Sequence, residues 1–173
     1  MERTLIIFKP DAVQRGLVGE ILSRFEKVGL KILGMKMVFP DEAHYHYHYE
    51  DISKIISRRG EQVYRRNADA MLEGPVVAAV LEGVEAVDLV RKLVGETEPK
   101  TAQPGTIRGD YAHVSYVHVN ERSNSGMPNL IHASGDAHEA QLEIAHWFKK
   151  SELFDYTTSH EHFTQQTDRL KKK

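Results

Sequence analysis

One histidine, His132, stands where an imidazole could act as a nucleophile. It lies in the segment Asn129-Leu130-Ile131-His132-Ala133-Ser134-Gly135-Asp136, whose small and polar residues predict a turn. An unperturbed imidazole has a pKa of about 6.5, so at neutral pH it can attack phosphorus without a metal-bound nucleophile. The significance of His132 therefore depends on whether other groups could hold a phosphate beside it.

A carboxylate and a hydroxyl near His132 could orient its ring. Glu143 follows His132 by eleven residues, about three turns if most of that span is helical. Its carboxylate, helped by Ser134, could fix the tautomer that leaves one ring nitrogen free. The alternatives are a solvent-facing helix glutamate, an N-cap serine, or a capping box formed by Asp136 and Glu139.

The loop Gly95–Asp110 contains three glycines, two prolines and no apolar periodicity. A loop this long inside a compact domain is usually functional. It offers the hydroxyl of Thr97 and the planar guanidinium of Arg108, which suits bidentate phosphate contact. Arg91, one turn before the loop, could add a second cation. The alternative is a surface loop with solvated arginines.

Lys9 follows directly after the apolar run Leu5–Phe8 and precedes Pro10, which ends the predicted strand. Strand ends often form ligand crevices in folds that combine helices and strands. A lysine in this place is otherwise simply exposed. Lys9 gains a role only if the fold brings it to His132 and the arginines.

The histidine-tyrosine alternation at 44–49 raises the possibility of a metal site. His44 and His48 are spaced i, i+4 and would share one face of a helix. There is no third ligand signature and no HExxH pattern, so a protein-held metal is disfavoured. A metal is expected only as Mg²⁺ on substrate phosphates, which needs few protein ligands.

Composition restricts the function classes further. The chain has 173 residues, 23 basic and 25 acidic, with a formal net charge of −2. This balance argues against a polyanion-binding surface and a sequence-specific nucleic-acid binder. The absence of cysteine excludes disulfides and thiolate chemistry. The only early apolar run, Leu5–Phe8, has four residues, too few for a signal peptide or a membrane span, so we expect a cytoplasmic protein.

Apolar periodicity predicts one domain in which strands and helices alternate. Its α+β order predicts a ferredoxin-like (split βαβ) four-stranded antiparallel sheet with helices packed around it, the main helices on one face. The predicted strands are Leu5–Phe8, Leu30–Phe39, Pro75–Leu81 and Tyr111–Val119. The predicted helices are a stretch from Ile21 to Val28, Asp41–Asp51, Glu61–Leu72, Val84–Val94 and Asp136–Phe148.

Taken together, the motifs resemble the nucleoside diphosphate kinase family. They occur in order over nearly the whole chain, from Arg3 to about Tyr156, and several motifs in order make the resemblance highly specific. The matching segments are Arg3–Asp11, Val13–Glu20, Gly74–Val77, Gly95–Thr97, Pro104–Asp110, Asn129–Ser134, Glu143 and Trp147-Phe148.

The resemblance implies a ping-pong transfer in which the γ-phosphate of a nucleoside triphosphate passes to His132 and then to a nucleoside diphosphate. It places Ser134 and Glu143 around the histidine and Tyr49 on the stacking side of the base. The residues that it implies for phosphate binding are Lys9, Arg91, Thr97, Arg108 and Asn129.

The resemblance also implies Mg²⁺ bound through the nucleotide phosphates, and a homo-oligomer, hexameric or tetrameric. It assigns residues 1–156 to a kinase domain and 157–173 to a C-terminal tail. No membrane and no specific nucleic acid is expected as a partner. The alternative function is a catalytically silent nucleotide-binding or interaction module of the same fold.

Four positions depart from the family pattern. Ala133 replaces the usual glycine after the histidine, and Gly135 replaces the usual aspartate after the serine, with Asp136 one place later. The aromatic pair that commonly follows Tyr49, with its base-stacking phenylalanine, is not evident in Ile52–Gly60. Finally, Asn120–Pro128 is an insertion before the histidine segment, where it could reshape the nucleotide pocket or a subunit contact.

Overall fold

The computed structural model describes residues 1–122 and 126–164. Its centre is a four-stranded sheet in the order β2-β3-β1-β4, and every neighbouring pair is antiparallel. This is the predicted ferredoxin-like α+β sheet. The strands are β1 Glu2–Phe8, β2 Lys31–Val38, β3 Val76–Gly83 and β4 Ile131–Ala133.

Ten helices in the described ranges surround the sheet, and most of the predicted ones are present. They are α1 Pro10–Gln14, α2 Val18–Lys27, α3 Glu42–His46, α4 Ile55–Arg59, α5 Glu61–Met71, α6 Ala86–Val94, α7 Ile107–Tyr111, α8 Tyr116–Arg122, α9 Ala137–Trp147 and α10 Glu161–Thr164. A π-helical segment, Tyr47–Ile52, continues α3, and a 3₁₀ turn, Lys150–Glu152, follows α9.

The fourth predicted strand, Tyr111–Val119, is wrong. That segment holds the end of α7, a short connection and the start of α8. The segment is rich in residues that favour strands, which accounts for the strand prediction. Val117 is nevertheless 63% exposed and packs on no sheet. The actual fourth strand is β4, so His132 lies on a strand and not on the predicted turn. Three residues are too few for a periodicity signal.

Helices cover both faces of the sheet, which corrects the expectation that the main helices lie on one face. Along β1, Ile6 and Phe8 belong to a core that includes residues of α2, α6 and α7. Leu5 and Ile7 belong to the opposite core, with residues of α3, α5 and α9. Because β1 is buried on both sides, its apolar residues form a continuous run instead of alternating.

Helix α9 begins as the sequence suggests at Asp136, whose Oδ1 accepts hydrogen bonds from the backbone N–H groups of His138 and Glu139, each at 2.8 Å. The alternative N-cap, Ser134, is wrong. The capping box is not closed, since Glu139 Oε2 accepts from the Gly135 N–H instead. This start of α9 fixes the helix directly after the strand that carries His132.

The predicted tail boundary at 156 lies close to a buried ion-pair cluster. Lys31 at the start of β2 is 5% exposed and contacts the carboxylates of Glu82, Asp155 and Glu161. Through Glu161, this cluster ties the predicted tail to the start of β2. The rest of that tail, from residue 165, and residues 123–125 of the predicted insertion lie outside the described residues. No helix in the described ranges has the length and apolarity to cross a bilayer.

We expect the Leu81→Ala substitution to lower the free energy of unfolding by about 2–5 kcal/mol. Leu81 on β3 is fully buried in the core with Ile6 and Phe8, so the shorter side chain leaves a cavity. Urea unfolding at a fixed protein concentration measures the change. Val28→Ala is the control, because Val28 is 45% exposed and should shift stability by about 0.5 kcal/mol or less.

Candidate active site

A cavity of about 1280 Å³ lies beside β4 and brings together most of the residues selected from the sequence. This volume exceeds that of an ordinary small-molecule site, roughly 300–1,000 Å³. Ser134 and Glu143 do not line it but lie behind His132. The selected residues that line it are Lys9, Tyr49, Arg91, Thr97, Arg108, Asn129 and His132.

His132 is held by the sheet on one side and by α9 on the other. It pairs with Ile7 in the β1–β4 ladder, so its backbone is fixed by the central strand. Its side chain is 17% exposed, and Nε2 lies 2.9 Å from Oε1 of Glu143. The imidazole therefore reaches the cavity from a rigid support, and one of its two nitrogens is already bound.

Glu143 is completely buried, so the alternative of a solvent-facing glutamate is wrong. Its Oε2 accepts a 2.6 Å hydrogen bond from Ser134 Oγ, which in turn accepts from the Leu5 N–H at 3.1 Å. Burial opposes ionisation, but the charge and hydrogen bond of His132, together with His48 and Ser134, outweigh it and lower the pKa of Glu143 to about 2. The carboxylate is thus ionised at neutral pH.

An ionised carboxylate can only accept hydrogen bonds. Nε2 of His132 must then carry the proton in the 2.9 Å bond to Glu143, and in the neutral ring Nδ1 keeps its lone pair. This fixes the tautomer that the sequence suggested without deciding which nitrogen was free. Nδ1 is the candidate nucleophile.

Lys9 lies at the junction between β1 and α1, where its backbone N–H donates to the Leu130 carbonyl at 2.8 Å. Its side chain is 9% exposed and lines the cavity. Burial lowers the pKa of Lys9 to about 8, with Asp11 acting in the opposite direction and Arg108 in the same one. A bound anion would favour the charged form, so the ammonium suits a phosphate ligand.

Arg108 is oriented by the backbone around the site. Its guanidinium donates to the carbonyl oxygens of Gly95 at 3.0 Å, Asn129 at 3.2 Å and Ile131 at 2.6 Å. Burial lowers the pKa of Arg108 to about 10, so it stays charged at neutral pH. Three of its five N–H groups are used in these bonds, which leaves the others for a ligand in the cavity.

Asn129 links the loop after α6 to the histidine strand. Its Nδ2 donates to the Thr97 carbonyl at 2.8 Å, whereas its buried Oδ1 has no hydrogen-bond partner. An unpaired buried acceptor costs free energy unless a donor arrives, and a ligand hydroxyl could supply one. Arg91 and Thr97 are exposed residues that also line the cavity.

Asp11 is a site residue whose role the sequence did not reveal. Leu130 has a left-handed backbone with φ of 72°, an unfavourable conformation for this side chain. The Asp11 carboxylate accepts a hydrogen bond from the Leu130 N–H at 3.0 Å, and the Lys9 N–H donates to the Leu130 carbonyl. Both ends of this strained residue are thereby fixed two positions before His132. No local pattern could have indicated such a contact, since it joins residues 119 apart.

A second group of side chains lines the same cavity and differs in character from the cationic group that includes Lys9 and Arg108. Tyr49, 5% exposed, is also a lining residue. Helices α4 and α5 contribute apolar and basic side chains, and α8 and residues 126–127 contribute further ones. This second group includes Ile55, Arg58, Arg59, Val63, Tyr116 and Met127. The insertion predicted at 120–128 therefore contributes to the cavity wall, and Ile55 lies in the stretch that lacks the family's aromatic pair.

The suggested His44–His48 metal pair does not form, because the two rings have different partners. His44 stacks on His146 with ring centroids 3.8 Å apart, whereas His48 lies 4.6 Å from the His132 ring. In the described ranges, the one set of three potential metal ligands is His48, His132 and Glu143. Two of these three already share a hydrogen bond, so the set is a hydrogen-bonded cluster in its present form.

Comparison with known proteins identifies the family of the chain. A family model described as Nucleoside diphosphate kinase matches residues 2–153. The nucleoside diphosphate kinase of Borreliella burgdorferi is 46% identical over 158 residues, which cover 90% of this chain and 92% of that protein. The Pyrococcus horikoshii enzyme is 48% identical over 155 residues, 90% of each chain.

Solved structures give the same result. A transition-state mimic of the Borrelia burgdorferi nucleoside diphosphate kinase, with vanadate and ADP bound, superposes with a TM-score of 0.90 at 43% identity, covering 95% of this chain and 96% of that one. The Halobacterium salinarum enzyme in complex with CDP gives 0.78 at 37% identity, covering 94% and 97%. With a matching family model over most of its length and these close relatives, the chain belongs to the nucleoside diphosphate kinase family.

Proposed function

We propose that this chain is a nucleoside diphosphate kinase that carries the transferred phosphate on Nδ1 of His132. The observation that supports this assignment most strongly is the bond between His132 Nε2 and the ionised Glu143 at the edge of a cationic cavity. It leaves one imidazole nitrogen with a free lone pair beside Lys9 and Arg108. The relatives named above perform this reaction class, and family membership carries the activity to this chain.

In the first half-reaction, Nδ1 attacks the γ-phosphorus of a nucleoside triphosphate. The Nδ1–P bond forms as the bond from phosphorus to the β,γ-bridging oxygen breaks, and the diphosphate leaves with that electron pair. The ring, which keeps its Nε2 proton, becomes cationic and is paired with the Glu143 carboxylate. In the second half-reaction, a terminal oxygen of another diphosphate attacks phosphorus, the N–P bond breaks and neutral His132 is restored.

Positioning and charge supply the catalysis, because phosphoryl transfer leaves little covalent work for the protein. We assign the phosphate contacts to Lys9, Arg91, Thr97, Arg108 and Asn129. We place Tyr49 on the stacking side of the base, which would lie against the cavity walls formed by α4, α5 and α8. These roles follow from the lining of one cavity and from the charges described above.

Mg²⁺ fits this site as a companion of the nucleotide. Of the three carboxylates that line the cavity in the described ranges, Asp136 caps α9 and Glu139 binds Arg58, which leaves Glu96. Mg²⁺ demands an octahedral set of oxygens and usually keeps several waters. The cavity offers no such cage from its described side chains, so the phosphates would hold the ion. When bound, it would neutralise charge on the β- and γ-oxygens.

The proposal includes two further points about the intact protein. We assign the activity to residues 1–156 and treat 157–173 as a tail, and a cytoplasmic location remains a prediction from the sequence.

The alternative, a catalytically silent module, requires that a free nucleophile and its cations go unused. No observed contact blocks Nδ1 of His132 among the described residues, so the kinase is the better supported function.

His132→Gln protein should acquire no acid-labile phosphate when it is incubated with ATP and Mg²⁺, whereas the wild-type chain should gain one per subunit. Intact-mass spectrometry at neutral and at acidic pH measures the label. The matched control is His138→Gln, six residues later and exposed, which should label like the wild type. Equal labelling of His132→Gln would show that the phosphate is carried elsewhere.

The pH dependence of kcat/KM should fall above about pH 8 in the free enzyme. The pKa of Lys9 is lowered to about 8, so above that pH the ammonium loses its proton and its attraction for phosphate. kcat/KM should then fall by roughly tenfold per pH unit at most. Bound phosphate favours the charged form, so kcat should fall only at higher pH. Lys100→Met, an exposed loop lysine, should leave the profile unchanged. A flat kcat/KM up to pH 9.5 would remove Lys9 from this role.

We further propose a homo-oligomer, a hexamer or a tetramer. Strand β2 is at the edge of the sheet, and Met35, Met37 and Phe39 on or next to it are between half and two-thirds exposed. An exposed apolar edge of this kind commonly marks an interface. Light scattering should give a mass of six or four times 19.7 kDa, and a monomer at micromolar concentration would contradict the proposal.

A further inference from the structure

A second imidazole, His48, is buried against the histidine that carries the proposed chemistry. It lies in the π-helical segment after α3 and is completely buried. Its ring centroid is 4.6 Å from that of His132, with the planes 76° apart. The mechanism proposed above gives this residue no role. A fully buried histidine beside a nucleophile nevertheless requires a defined protonation state, since either ring nitrogen can donate or accept.

The tautomer of His48 is decided by Trp147 near the end of α9. The indole Nε1–H lies 3.2 Å from Nδ1 of His48. An indole nitrogen can only donate, so Nδ1 must accept and cannot carry a proton. The neutral His48 ring is therefore protonated at Nε2, an atom that is buried without a hydrogen-bond partner. Leaving this N–H without an acceptor costs free energy. The Nε2–H tautomer is therefore kept by the bond from Trp147, although Nε2 has no hydrogen-bond partner of its own.

The same nitrogen of His48 is the one closest to the catalytic carboxylate. Nδ1 lies 3.8 Å from Oε1 of Glu143, the oxygen that accepts the 2.9 Å bond from His132 Nε2. In the other tautomer, His48 would present an Nδ1–H to this oxygen across less than an ångström of adjustment. Two imidazole N–H groups would then converge on Oε1, and the second donor would weaken the bond from His132 Nε2. The indole N–H prevents this second hydrogen bond by occupying the nitrogen that would take part.

We propose that Trp147 and His48 are positioning residues that reserve Glu143 for His132. The indole holds His48 in its Nε2–H tautomer, so Oε1 of Glu143 receives a hydrogen bond from His132 alone, while Oε2 is bound by Ser134. Nδ1 of His132 then stays free to react. This inference rests on the proposed function for its effect on rate. Its statement about the tautomer of His48 stands without that function.

The charges around His48 agree with a ring that stays neutral. Burial lowers the pKa of His48 to about 3, and the adjacent His132 acts in the same direction. A cationic His48 would also repel the imidazolium that forms when His132 is phosphorylated. The groups that face His48 from the elements packed around it are His132, Glu143, His146, His44 and Tyr49, of which only Glu143 favours its protonation.

The first experiment uses Trp147→Phe, which removes the N–H and keeps an aromatic ring. Single-turnover labelling of His132 by ATP should slow by roughly tenfold, the size expected when a hydrogen bond to a charged group is weakened. Nucleotide affinity should change little. Adding His48→Leu removes the competing nitrogen and should restore most of that rate. An unchanged rate in Trp147→Phe, or a double variant no faster than the single one, overturns the proposal.

The matched control is Phe148→Leu. Phe148 is 5% exposed and packs in the same core as Trp147, but its side chain has no N–H to lose. It should reduce stability while labelling His132 at the wild-type rate. Equal slowing in Phe148→Leu and Trp147→Phe would assign the effect to packing and overturn the proposed role.

The second experiment reads the tautomer directly by long-range ¹H–¹⁵N NMR of the histidine rings. Wild-type His48 should be a neutral Nε2–H ring from pH 5 to 8, and Trp147→Phe should shift it toward Nδ1–H. A wild-type Nδ1–H or charged ring overturns the proposal even if no variant folds. If the wild type fails to label His132, the proposed function fails, whereas the NMR result still decides the tautomer.

Discussion

The buried carboxylate of Glu143 is the interaction on which the site and much of the fold depend. An isolated charge inside a protein is costly unless it is paired and hydrogen-bonded, and here His132 and Ser134 meet that requirement. Ser134 in turn accepts from the Leu5 N–H of the central strand. One carboxylate thus ties α9 to β4 and β1, so the bond that orients the proposed nucleophile also connects these three elements.

Strand β1 converts this local arrangement into a rigid one. It is buried on both faces, pairs with β3 and β4, and ends at Phe8, directly before Lys9. His132 pairs with Ile7 in the sheet, and the Lys9 N–H binds the Leu130 carbonyl. The proposed nucleophile and the proposed phosphate-binding cation therefore share one backbone network. Motion of one relative to the other would break sheet hydrogen bonds, which is how a strand-borne site keeps its geometry.

Periodicity predicted the long elements well and the short ones poorly. The strands β1 and β3 contain continuous apolar runs, and β2, α2, α5, α6 and α9 are long enough for their apolar residues to be recognised. β4 has three residues, and its hydrogen bonds come from β1 and Arg108, far away in the chain. Strand propensity therefore selected Tyr111–Val119 instead, where exposed α8 residues happen to be β-formers. The second layer of helices was missed because the sequence does not state on which face of the sheet a helix packs.

The sequence by itself determined which chemical groups are present, their order along the chain and, through that order, the family. It also identified His132, Lys9, Arg108 and Glu143 as the groups to examine. Only the tertiary structure decided that Nδ1 of His132 is free, that Asp11 holds Leu130 in a left-handed conformation, and that Trp147 fixes the tautomer of His48. A protonation state depends on what meets each nitrogen in space, and these partners lie between 11 and 119 residues apart, beyond the reach of any local pattern.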